Sequence, residues 1–106
     1  MDILEKHHHY ILLFDFYGAI LTKKQQDYFR DYYFKDASLA EIAAQNQISR
    51  AAVFDQLHRV HQLLDEYEAK LKLFEKFQLR HSLYEQLAKT ADSQVLAIIE
   101  QLKEIE

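Results

Sequence analysis

Six histidines in a chain of 106 residues are the side chains best suited to chemistry. His58 and His61 stand three apart with Asp65 four further on, and two imidazoles with a carboxylate are the kind of donor set that holds zinc. His7, His8 and His9 form a second cluster. Adjacent residues on a helix project about 100° apart, so the triplet points around its axis instead of converging on one ion, and no zinc signature is complete. No metal site and no cofactor are expected. His61 is expected at the edge of a core, with a hydrogen-bond partner. The other routes to catalysis are equally bare: the chain has no Gly-rich phosphate loop, no nucleophile elbow, no cysteine and no paired carboxylates in an evident cleft. The residues read as those of a protein that is not an enzyme.

Binding is the remaining chemistry, and it concentrates in the residues that follow Ser49. Placed around a helix axis at 100° per residue from Val53, Ala51, Asp55, His58 and Gln62 form the outward centre. Phe54 and Arg59 flank it, and Arg50 lies near the buried edge. The expected contact residues for a partner or nucleic acid are Ser49, Arg50, Ala51, Phe54, Arg59 and Gln62, with Ser49 setting the helix start. An Asp at the centre of such a face repels phosphates, and specific DNA readers commonly neutralise about 6 to 10 of them. The seven Tyr and seven Phe could stack on bases. The helical spacing of Tyr28, Phe29, Tyr32, Tyr33 and Phe34 places them instead in a core.

These residues need elements to hold them, and the segment from Thr22 to Leu64 supplies start signals for three. Thr22 with Gln25, and Ser38 with Glu41, have the spacing of capping boxes, and Ser49 is a third N-cap. Between the second and third lies SLAEIAAQNQIS, with Leu39, Ile42 and Ala43 in helical phase and a tight connection at Asn46-Gln47, the layout of a helix-turn-helix. Ile48 and Val53 are expected to close over that stripe. Helix-turn-helix units often use Gly in the turn; here Asn46 is the residue best able to take a left-handed backbone.

One Gly and no Pro leave almost nothing to punctuate hairpins, so the fold class is all-α. The length fits one domain, residues 1–106. Within it fall an N-terminal helix over 1–21, the helix-turn-helix unit over 22–64, and C-terminal helices over 80–106. From Ser49 the apolar positions Val53, Leu57, Val60, Leu64, Tyr67, Leu71 and Phe74 alternate at four and three, a heptad seam. It predicts a rod over 49–79, about 45 Å long at 1.5 Å per residue. Either the chain itself covers this seam or a partner does. The N-terminal helix is apolar nearly all round, as expected of one shared between the core and a homodimer contact. Gly18 would bend it or let another helix approach closely. The last helix, from Gln94, is expected to pack back on the rod.

The formal net charge is −4. Residues 22–64 carry six bases and five acids, while the segments before and after are acidic, so a broad basic patch for nucleic acid is missing. The N-terminus lacks a basic leader, and the apolar run from Tyr10 to Leu21 is interrupted by Asp15 and too short to span a bilayer. A cytoplasmic setting is expected, without membrane insertion.

Leu21 to Gln25 (LT-x-x-Q), the pair Tyr32-Tyr33, SLAEIA at Ser38 to Ala43, ISRAAVFD at Ile48 to Asp55 and the rod LLDEYEAKLKLFEKF at Leu63 to Phe77 together resemble the YlxM-type proteins of Firmicutes. Their central unit is similar to the region 4 helix-turn-helix of sigma factors. The likeness covers nearly all of the chain beyond residue 10. It implies a small cytoplasmic helical protein that regulates or assists the signal recognition particle pathway, with the particle's GTPase, its receptor or its RNA as partner. A DNA-binding transcriptional regulator is the alternative. The sequence departs from the family in its histidine-rich N-terminus, in Gln47 where Gly is usual, and in His58, Arg59 and His61, which replace a more basic stretch.

Overall fold

The computed structural model describes residues 1–106. It consists of α1 (Ile3–Tyr17), a 3-10 turn (Gly18–Ile20), α2 (Lys23–Tyr33), α3 (Leu39–Asn46), α4 (Arg50–Leu71), α5 (Leu73–Ala88) and α6 (Ser93–Ile105). There are no strands, and the all-α expectation holds. The chain divides into two compact units, Met1–Lys72 and Leu73–Glu106. No helix is long and apolar enough to cross a membrane.

Local side-chain chemistry sets the helix starts. Thr22 Oγ1 accepts from the Gln25 N–H at 3.2 Å while Gln25 Oε1 accepts from the Thr22 N–H at 2.9 Å. Ser38 and Glu41 repeat this reciprocal pair before α3 at 3.1 and 3.2 Å. Each box satisfies two donors that a helix start otherwise leaves unpaired. Asp2 and Asp92 cap α1 and α6 by a single bond each, accepting from the Glu5 and Val95 N–H groups.

In the first unit α4 is the spine, packed against α1, α2 and α3. Its Val53, Leu57, Val60 and Leu64 are buried, together with Ile42 and Ala43 of α3, Tyr28 and Phe29 of α2, and Leu13, Phe14 and Tyr17 of α1. The seam is thus covered by its own chain as far as Leu64. The aromatic run of α2 divides: Tyr28 and Phe29 enter the core, while Tyr32 and Phe34 are 37% and 50% exposed. The helix is only half-immersed, and residues beyond its buried stripe turn outward. Likewise Val53 closes over α3, but Ile48 stays 36% exposed.

The predicted rod ends early. Helix α4 stops at Leu71, and Lys72 takes a left-handed conformation (φ 56°, ψ 32°) with its N–H on the Glu68 carbonyl. A strict heptad stripe drifts about 20° per heptad around a straight helix, and the seam outruns its cover: Tyr67 is half-buried and Leu71 exposed. A helix begins again at once at Leu73, so the C-terminal helices start seven residues before Arg80. Helix α1 also ends earlier than residue 21. At Gly18 a side chain would come within 3.0 Å of the Phe14 ring. Gly18 therefore leaves room for an aromatic ring of its own helix.

In the second unit α6 packs against α5, with Ile99 its one buried core side chain. The Glu106 carboxylate accepts from Arg80 Nε at 2.6 Å and Tyr84 Oη at 3.0 Å, with His81 Nε2 at 2.6 Å. The Arg80 hydrogen bond first, and those of His81 and Tyr84 after it, hold this carboxyl down at about 2.

Candidate recognition surface

The candidate surface is built on the α3–α4 turn. Gln47 ends α3 in the left-handed region (φ 57°, ψ 41°). The left-handed residue is therefore Gln47, one position beyond the Asn46 expected for it. Asn46 remains helical and works through its side chain: Nδ2 donates to the Ile42 carbonyl at 2.8 Å, and Oδ1 accepts from Lys24 Nζ at 2.6 Å. These bonds tie the turn back onto α3 and across to α2. The Ile48 N–H then returns to the Ala43 carbonyl at 3.1 Å, closing a Schellman-like stop.

Ser49 Oγ accepts from the Ala52 N–H at 3.0 Å and fixes where α4 begins. From that start Arg50, Ala51, Phe54, Asp55, His58, Arg59 and Gln62 are all exposed. The expected contact residues thus lie in the open. They do not form one cluster: nine residues separate Arg50 from Arg59, which roots the two side chains about 180° apart around the axis and about 13.5 Å apart along it. Asp55 stands between them on the outward side.

Phe54 alone of the expected residues also lines a groove, of about 340 Å³, where the start of α1 meets the end of α2, the start of α3 and the first turns of α4. Lys6, His7, Tyr32, Tyr33 and His58 face it as well. Phe54 is 58% exposed and runs parallel to the His58 ring, with centroids 6.3 Å apart. His7 lies against Tyr33 at 4.5 Å. Lys6 and His7 lie some fifty residues from Phe54, a separation that no local pattern in the sequence bridges; Tyr32 and Tyr33 have the helical spacing of core residues yet line the groove.

Behind the groove a polar seam fixes α1 on α4. Tyr10 Oη donates to Asp65 Oδ2 at 2.8 Å, His9 Nε2 lies 3.2 Å from Asp65 Oδ1, and Tyr17 Oη donates to Glu68 Oε1 at 2.5 Å. Tyr33 Oη and His61 Nε2 are 2.7 Å apart, giving His61 the hydrogen-bonded place at the core edge that its phase predicts. Burial, and after it the neighbouring Lys6 charge, pulls His61 down to about 4. Burial, then the hydrogen bond and charge of Asp65, pushes the Tyr10 hydroxyl up to about 12. Burial and then Tyr32 raise that of Tyr33. His7 and His9 thus serve different neighbours, and His58 lies beside Phe54.

A capped three-helix unit with an open second helix after a tight turn defines a helix-turn-helix protein. The chain belongs to the UPF0122 family, described as "Putative helix-turn-helix protein, YlxM / p13 like", which it matches over residues 4–105. It is 44% identical to the UPF0122 protein of Geobacillus sp. (strain WCH70), over 98% of this chain and all of that one. It is 49% identical to the UPF0122 protein of Shouchella clausii, over 76% of this chain and 74% of the relative. With UPF0122 protein YlxM of Bacillus subtilis (strain 168) the identity is 40%, over 97% and 98% of the two chains.

Proposed function

We propose that this chain is a non-enzymatic accessory protein of the signal recognition particle pathway, acting in the cytoplasm on the particle's GTPase, its receptor or its RNA. Family membership supports the reading, and the face of α4 carries it. A helix set out for recognition, with Asp55 between two widely separated arginines, suits a protein or ribonucleoprotein better than a duplex lined with phosphates. The test is direct binding of purified particle GTPase, receptor and RNA at 50 mM salt. Retention of at least one, weakened by Arg50→Ala or Gln62→Ala, is the expected result; retention of none ends the reading.

A DNA-binding transcriptional regulator is the second reading, favoured by the open first turn of α4, where Arg50 and Ala51 follow the Ser49 cap as in a major-groove reader. It requires binding to duplex DNA that falls steeply with salt, and each lost phosphate contact should reduce the salt slope by about one. A homodimer belongs to either reading. Leu79, Leu83 and Leu87 of α5 and Leu96, Ile98 and Leu102 of α6 are exposed. A unit of about 34 residues is below the size at which a core usually suffices without disulfides, metals or association, and this chain has no cysteine.

A further inference from the structure

We infer that the groove beside Phe54 takes a single unstacked nucleobase of single-stranded RNA, with its phosphate at Lys6. The inference rests on the RNA arm of the function proposed above and names the part of the surface that would serve it. Three observations carry it. The groove holds about 340 Å³, within the range of small-ligand sites and far too small for a duplex. Its exposed aromatic rings include Phe54 and Tyr32, 58% and 37% open to solvent, and flat rings of this kind receive splayed-out bases irrespective of sequence. Its charge is the third: Lys6 is the formally charged side chain that lines it, beside His7 and His58, and no carboxylate does, although the chain as a whole carries −4.

The floor supports the same occupant. Leu57 and Leu39 also line the groove, Leu57 being buried, so a ring entering beside Phe54 exchanges water for apolar contact on its edge as well as its face. The Lys6 ammonium and the imidazoles of His7 and His58 then offer donors to a phosphate or a ring nitrogen. An apolar peptide side chain would use the floor and leave these donors idle. Arg59 lies on the opposite flank of α4 and takes no part.

The experiment is fluorescence anisotropy with a 5′-labelled ten-residue oligoadenylate and a duplex of equal length, at 50 and 150 mM salt. The expected result is preference for the single strand. Phe54→Ala and Phe54→Leu should each weaken binding about tenfold, since leucine keeps apolar area but not a stacking face. Lys6→Gln should weaken it several-fold and reduce the salt slope by about 0.7. Arg59→Ala should change it less than twofold. Lys6, Phe54 and Arg59 are all exposed, and circular dichroism verifies that each of the four variants folds. Equal affinity for duplex, a loss confined to Arg59→Ala, no binding at 50 mM salt, or displacement of the oligonucleotide from Phe54 by an aromatic peptide that binds tenfold tighter would each overturn the inference. If particle components are retained but the oligonucleotide is not, the inference alone fails. If the oligonucleotide binds at Phe54 but no component is retained, the proposed function alone fails.

Discussion

The ring of Tyr10 lies flat on the imidazole of His61, with centroids 4.1 Å apart and planes 13° from parallel. The contact spans fifty-one residues of chain and joins α1 to α4. The stacked imidazole is shielded on one face by Tyr10, meets Tyr33 Oη at 2.7 Å, and has Lys6, His9, His58 and Asp65 as its charged or titratable neighbours. Only the Asp65 carboxylate favours its protonated form, and burial outweighs it.

That stack makes stability depend on pH. His61 is held down at about 4 in the fold, against about 6.5 in an unfolded chain, so between these values the unfolded state binds the extra proton. Stability therefore falls as pH drops from about 6.5 to about 4. The loss should be roughly 1–2 kcal/mol after allowance for the partial exposure of the ring. Urea denaturation at pH 7.5 and 4.5, for the parent and for His61→Gln, measures it; an equal pH dependence in both would refute the assignment.

Leu64 is fully buried where α4 meets its neighbours. Leu64→Ala should cost about 2–5 kcal/mol from lost transfer energy and the cavity left behind. Leu64→Asp, which buries a carboxylate with no partner, should leave no cooperative thermal transition. A melting temperature for Leu64→Asp within a few degrees of the parent would contradict the packing described.

Gln47 and Lys72 both hold left-handed backbone without being glycine. Such a conformation costs a residue with a Cβ about 1–2 kcal/mol, part of which glycine returns through its freer unfolded chain. Gln47→Gly should then raise stability by about 0.5–1 kcal/mol, whereas Gln47→Val should lower it. Denaturant midpoints at constant m-value provide the comparison, and a loss of stability in Gln47→Gly would exclude this account of the turn.

The exposed leucine face of the second unit bears on association. Sedimentation equilibrium at tens of micromolar should show a dimer, and Leu83→Glu should shift it toward monomer without altering the pH dependence set by His61. A parent protein that sediments as a monomer at that concentration would remove the homodimer from the functional proposal.

The sequence alone determined the helix-turn-helix. Thr22 with Gln25, Ser38 with Glu41, and Ser49 form bonds with backbone only three residues away, so the starts of α2, α3 and α4 need no distant partner. The buried phase of Val53, Leu57, Val60 and Leu64 was equally legible, because helical periodicity encodes which side of a helix faces inward. Tertiary packing decided the rest. The seam past Leu64 keeps its pattern while losing its cover, so the pattern alone could not place the stop at Lys72. Tyr32 and Phe34 share the helical spacing of Tyr28 and Phe29, but how deep α2 sits in the core decides which rings emerge. The groove required Lys6 and His7 to reach Phe54 and His58 across half the chain, a juxtaposition produced by packing α1 on α4, which periodicity within either helix does not record.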